Sequence, residues 1–155
     1  MNYGLKNKDE IAKFSKLVVS VFGGGYATER ALMEVAAVET QYGDFPDQHP
    51  ERLGVGLTQF DQIGFDDVVQ RTRPRHKKRM LDMLGYDLDT LQLADLAYDP
   101  LLALAMTRLK YLLIPEEIPD TVEGRARYWK KYYNTELGKG TVQHYLDSVK
   151  LHLRG

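Results

Sequence analysis

Residues 99–114 read DPLLALAMTRLKYLLI, and this stretch decides the fold. Asp99 offers a capping side chain, and Pro100 takes the first helical position, where its missing N–H is no loss. The residues that follow are apolar on almost every side of a helical period. A helix of that kind is covered all round by protein, so it is expected to run through the middle of a helical core. Pro115 and Pro119 close it.

Outward from this helix the pattern stays mostly α. Upstream, Phe65 to Leu84 is helical in period and interrupted at Pro74, and Asp89 is placed to cap a short helix ending at Leu96. Residues 9–22 carry Ile11, Phe14, Leu17, Val18 and Val21 at helical spacing and end at Gly23-Gly24-Gly25. A second helix is expected from Thr28, as N-cap, to Gly43. Downstream, helices are expected at about 122–133 and 141–153, the last with Val142, Tyr145, Leu146, Val149 and Leu153 on its buried face. Residues 43–63 hold too many Gly, Pro and Asp for a helix. They read as a long loop or a small irregular β-region, and long loops in small domains are often functional. The expected fold class is α+β, predominantly helical, with a small irregular or β lobe at about 43–63, in one domain spanning residues 1–155.

Composition narrows the function classes. At 43% hydrophobic residues the chain can bury a real core. Its net charge of −1 gives no overall polycation character, so nucleic acid is an unlikely partner. There is no cysteine, which excludes disulfides and Cys-ligated zinc. The four histidines show no metal-ligand spacing, and no phosphate-loop or dinucleotide fingerprint occurs, so no cofactor is expected. The run Leu101–Met106 is far too short to span a bilayer, and the N-terminus shows no signal peptide.

Glu39 is the residue that stands out chemically. In TERALMEVAAVET, residues 28–40, Leu32, Val35, Ala36 and Glu39 share one helical face, whereas Glu29 and Glu34 are easily placed on more exposed faces. Partial desolvation and the negative end of the helix dipole both disfavour ionisation of a carboxyl there, which suits a general acid near neutral pH. The competing reading is a helix-terminal Glu whose charge faces water. Twenty residues on comes Gly54-Val55-Gly56-Leu57-Thr58-Gln59-Phe60-Asp61, a glycine-rich polar segment able to form a substrate wall.

Three blocks, in order, resemble the goose-type lysozymes and the related soluble lytic transglycosylases. The first is Val38-Glu39-Thr40, where the family usually has Glu-Ser. The second is Gly54 to Gln59, with Thr58 in place of the family's Met, followed by Phe60-Asp61. The third is Tyr132-Tyr133-Asn134-Thr135, then Gly138, Gly140, Val142 and Tyr145. Asp99-Pro100 with Tyr111-Leu112 suits the family's central helix. The likeness spans about residues 27–150. It implies a lysozyme-like fold and cleavage of the β-1,4 bond between N-acetylmuramic acid and N-acetylglucosamine in peptidoglycan.

On that resemblance Glu39 is the general acid. Asp61 is the second carboxylate, positioning or deprotonating a water as in an inverting hydrolase. Its plain alternative is a turn or capping Asp, and Asp44 and Asp47 lie in the same lobe. Gln59 has donor and acceptor groups for sugar substituents. Gly54 and Gly56 would let backbone approach the glycan, Tyr133 would pack on a sugar face or bond near Glu39, and Asn134 would tie down its loop. Core packing is the plain reading of Tyr133 and of Trp129.

A lytic transglycosylase, needing no second carboxylate, is one rival. A catalytically silent phage structural or glycan-binding module is another. The expected partners are peptidoglycan glycan strands and other virion proteins, and the expected setting is a phage virion or the host cytoplasm before delivery to the cell wall. The run Arg71 to Arg79, RTRPRHKKR, is either an attractor of anionic polymers or a solvated surface.

Overall fold

The computed structural model describes residues 2–46, 54–134 and 140–153. Its α-helices are α1 (Asp9–Phe22), α2 (Tyr26–Thr40), α3 (Gln62–Arg71), α4 (Pro74–Arg79), α5 (Pro100–Leu112), α6 (Val122–Trp129) and α7 (Val142–His152). The 99–114 stretch becomes α5, started by the Asp99 carboxylate accepting the Leu102 N–H at 3.0 Å. Leu102 to Leu109 and Tyr111 are buried. α1 and α3 pack along α5, α2 lies against α1 and α5, and α7 covers the far side of α2 beside α6. No helix among the described residues is long and apolar enough to cross a membrane.

Several boundaries differ from the sequence reading. Helix α2 starts two residues before Thr28, with Gly25 as N-cap. Thr28 sits in the first turn, where its hydroxyl accepts the Gly25 N–H at 3.4 Å. The single short helix expected from Asp89 to Leu96 is two 3₁₀ turns, Leu88–Thr90 and Leu93–Leu96. Pro74 separates α3 from α4 as expected, and α4 runs on into a π-helical turn, Met80–Leu84. A second π turn, Lys130–Asn134, extends α6.

The expected β lobe shrinks to one isolated antiparallel bridge among the described residues, Val55 with Phe60. It closes a tight turn in which Val55 and Phe60 exchange backbone hydrogen bonds of 2.8 and 3.1 Å. The described protein is thus mostly helical. Asp47, His49 and Gly138 lie outside the described residues.

The clearest correction concerns Glu34. It was expected on an exposed face, but it is wholly buried. Arg125 of α6 grips both carboxylate oxygens, at 2.7 and 3.0 Å, and the Tyr145 hydroxyl of α7 donates at 2.7 Å. Arg30 stands 3.5 Å away on the same helix. Arg125 also donates to the carbonyls of Pro119 and Asp120, at 3.2 and 2.8 Å. Burial disfavours the Arg125 cation, yet the hydrogen bond and charge of Glu34 outweigh it and hold the Arg125 pKa above the ordinary value. One buried ion pair therefore ties together α2, α6, α7 and the loop after α5.

Candidate functional site

Helix α2 delivers Glu39 in its last turn, and the chain beyond it is held in a costly conformation. Gln41 and Tyr42 both have positive φ, 50° and 58°, before Gly43 at 84°. Side chains fix this left-handed exit. The Gln41 amide donates to Ser148 of α7 at 3.0 Å, and Tyr42 stacks on His152 with ring centroids 6.2 Å apart. The Thr40 hydroxyl donates to the Leu57 carbonyl at 2.9 Å and accepts the Gly43 N–H at 3.2 Å. The end of α2 is thereby fastened to the glycine-rich turn. Gln59, in that turn, is also a non-glycine residue at positive φ, 54°. Backbone strain of this kind persists only where its surroundings over-determine it, and it clusters at functional sites.

Glu39 is half-buried. Its Oε2 accepts the indole N–H of Trp129 at 3.0 Å. Trp129 is itself 1% exposed, packed against Tyr145 with centroids 5.4 Å apart. Gly140 backs this tryptophan: a Cβ there would sit 2.4 Å from the ring and 2.9 Å from the Asn134 amide. The sequence reading placed Trp129 in the core and missed its bond to Glu39. The available signal was that indole N–H groups find a partner when buried.

The other candidate residues divide. Tyr133 comes to the site from the π turn after α6, but its hydroxyl donates to the Thr58 carbonyl, and its ring meets Phe60 and Tyr111 edge to face. At 9% exposure it offers a sugar little surface. Asn134 accepts from Lys130 at 2.8 Å and so secures its own segment. Gly56, at φ 81°, would place a Cβ 2.4 Å from the Leu96 carbonyl. Its missing side chain is thus required by packing against Leu96 rather than by approach of a glycan. The Gln59 amide folds back to the Gly56 carbonyl at 2.9 Å, and a Cβ on Gly54 would strike the Gln59 side chain. Thr58 is buried and meets the Thr107 hydroxyl of α5 at 2.9 Å. Asp61 is exposed and is the N-cap of α3, its Oδ1 accepting the Gly64 N–H at 2.7 Å. Asp44 is ion-paired with Lys8 at 2.6 Å on the surface.

Lys110 is the charged neighbour the sequence reading overlooked. Its ammonium lies 4.4 Å from the centroid of the Tyr133 ring and 5.6 Å from that of Phe60. No carboxylate of the described residues stands within ion-pair distance of it. Burial holds it below the ordinary lysine pKa, against the opposing pull of Asp61, then Glu39 and Asp67. Among the described residues no cluster of His, Cys, Asp and Glu could hold a metal ion.

No protein-family model matches the chain, no curated protein matches it in sequence, and no solved structure matches it in fold.

Proposed function

We propose that the protein is a peptidoglycan glycosidase with a lysozyme-like fold, cleaving the β-1,4 bond between N-acetylmuramic acid and N-acetylglucosamine with Glu39 as general acid. The observation that carries this reading is the setting of Glu39. A half-buried carboxyl at a strained helix exit, held by one donor and fastened beside a glycine-rich turn, is the arrangement proton transfer to a leaving sugar needs. That alkoxide is too basic to depart unprotonated. Indole is a donor only, so Trp129 keeps its bond to Oε2 in either charge state of the carboxyl. The transferable proton is then carried on Oε1.

Two mechanisms share this acid, and one observation favours the second. A hydrolase needs a further carboxylate to activate water, and Asp61 is an exposed helix cap with one oxygen already engaged. In the transglycosylase route the muramic acid 6-hydroxyl forms the new bond to C1 as the C1–O4 bond breaks. Glu39 gives its proton to O4 and receives the one from O6, and no second carboxylate takes part.

The test is digestion of purified peptidoglycan by wild type and by Glu39→Gln, with products read by mass spectrometry. Muropeptide release by wild type alone supports the reading. Products lighter by one water identify the transglycosylase route. Equal inertness of both proteins on several walls overturns the glycosidase reading.

A further inference from the structure

Away from Glu39, the segment from the end of α3 into α4 surrounds a small cavity of about 100 Å³. Thr72, Arg73, Arg75 and His76 line it over a floor of Leu109 and Leu112. Thr72 is 6% exposed, and its hydroxyl has no hydrogen-bond partner among the described residues. A buried polar group left unpaired costs stability, so such a group in a cavity marks a place where something polar belongs.

The surrounding charge has one sign. Within the basic run, Arg71, Lys77 and Lys78 are each paired, with Asp67, Asp89 and Asp82. Arg73, Arg75, Arg79 and Arg108 have no carboxylate within 4.0 Å among the described residues. Arg79 and Arg108 spend donors on the carbonyls of Val21 and Gly23, whereas Arg73 and Arg75 make no side-chain hydrogen bond there. His76 stands among all four. Burial first, then Arg75, Arg73, Arg108 and Arg79, hold its pKa below the ordinary histidine value. His76 and Arg75 also line a larger neighbouring groove of about 660 Å³ between the end of α1 and α4, shared with Ser20 and Lys78.

We infer that this cavity binds a terminal phosphate group, with the Thr72 hydroxyl donating to one oxygen and Arg73, Arg75 and His76 supplying the opposing charge. The volume suits this ligand: it exceeds the share of one water, about 30 Å³, and accommodates one tetrahedral oxyanion. The guanidinium geometry matches phosphate oxygens two at a time. A phosphate monoester can leave its body in the neighbouring groove. A diester inside a duplex cannot bring its phosphate into so small a cavity, and this favours a terminal phosphate over nucleic acid.

The test is an NMR titration of the whole chain with inorganic phosphate at constant ionic strength, following the Thr72 amide and the His76 ring, with chloride as control. Glycerol 1-phosphate, dimethyl phosphate and a short DNA duplex form the comparison arms. Saturable shifts are expected with inorganic phosphate, or with glycerol 1-phosphate alone if the natural group is an ester. Dimethyl phosphate is expected to bind more weakly. Thr72→Val keeps the side-chain shape and removes an unpaired hydroxyl, so it should fold with an unchanged melting temperature. It should weaken phosphate binding about tenfold or more, as expected for a hydrogen bond to a charged group. Arg73→Gln with Arg75→Gln, both exposed, should abolish binding. Phosphate shifts no different from those of chloride, equal binding by Thr72→Val, or preference for the duplex would overturn the proposal.

Discussion

Glu34 and Glu39 lie little more than one turn apart on α2, and their surroundings could hardly differ more. Glu34 is wholly buried, with both oxygens gripped by Arg125 and a third donor from Tyr145. Glu39 is half-buried and takes the indole N–H of Trp129. The first arrangement spends a carboxylate on holding three helices together. The second leaves a carboxyl able to exchange a proton. Sequence position alone does not separate these roles; the neighbouring helices do.

The same Glu→Gln exchange at the two positions is expected to give opposite phenotypes. Glu39→Gln should lower glycan cleavage by about 10²- to 10⁴-fold, the usual contribution of a general acid, with little change in melting temperature. Glu34→Gln leaves Arg125 buried without its counter-charge and should cost about 3–5 kcal/mol, read from chemical denaturation. If Glu34→Gln were as stable as wild type and inactive, the two roles would have to be exchanged. Trp129→Phe sharpens the contrast. Losing one donor and some packing should cost about 0.5–3 kcal/mol. It should lower cleavage roughly tenfold, less than Glu39→Gln, when rates are compared below the melting range.

The smallest expected effect is a pH dependence through His76 and His152. Both have folded-state pKa values below the ordinary 6.5, chiefly through burial. The unfolded chain therefore takes up protons first as pH falls. Stability from these groups is complete above 6.5 and is lost between 6.5 and the lower folded values. Ring-proton NMR should show both histidines titrating below 6.5, and a titration above it would reverse the sign.

What was legible in the sequence was legible for local reasons. α5 declares itself through Asp99, Pro100 and an apolar run with no polar face, while α1 and α7 show plain helical periods. α2 was misread because it looks amphipathic. Counting Leu32, Val35 and Ala36 as its buried stripe leaves Glu34 outside, but Ala31, Ala37 and Val38 are buried too. A helix covered on nearly every side forces its carboxylate to find a partner, and Arg125 lies 91 residues away in sequence. The turn at 54–60 was recognised as special, yet the reason for Gly56 was hidden because the Leu96 carbonyl that crowds it comes from a distant 3₁₀ turn. Asp61 was open between two roles, and capping of α3 is the one the structure displays. Lys110 was invisible because only the fold sets its ammonium beside Tyr133 and Phe60.

The π turn at Lys130–Asn134 bears on how the chain tolerates changes in length. A π turn carries one residue more than an α turn. Removing a single residue there would restore ordinary winding and rotate everything beyond the cut by about 100° about the helix axis. Tyr133 would swing away from the Thr58 carbonyl, and the segment leading to Gly140 would leave the face of Trp129. In this part of the molecule an indel of one residue is therefore a change of phase, felt at Glu39 through a tryptophan that the indel never touches.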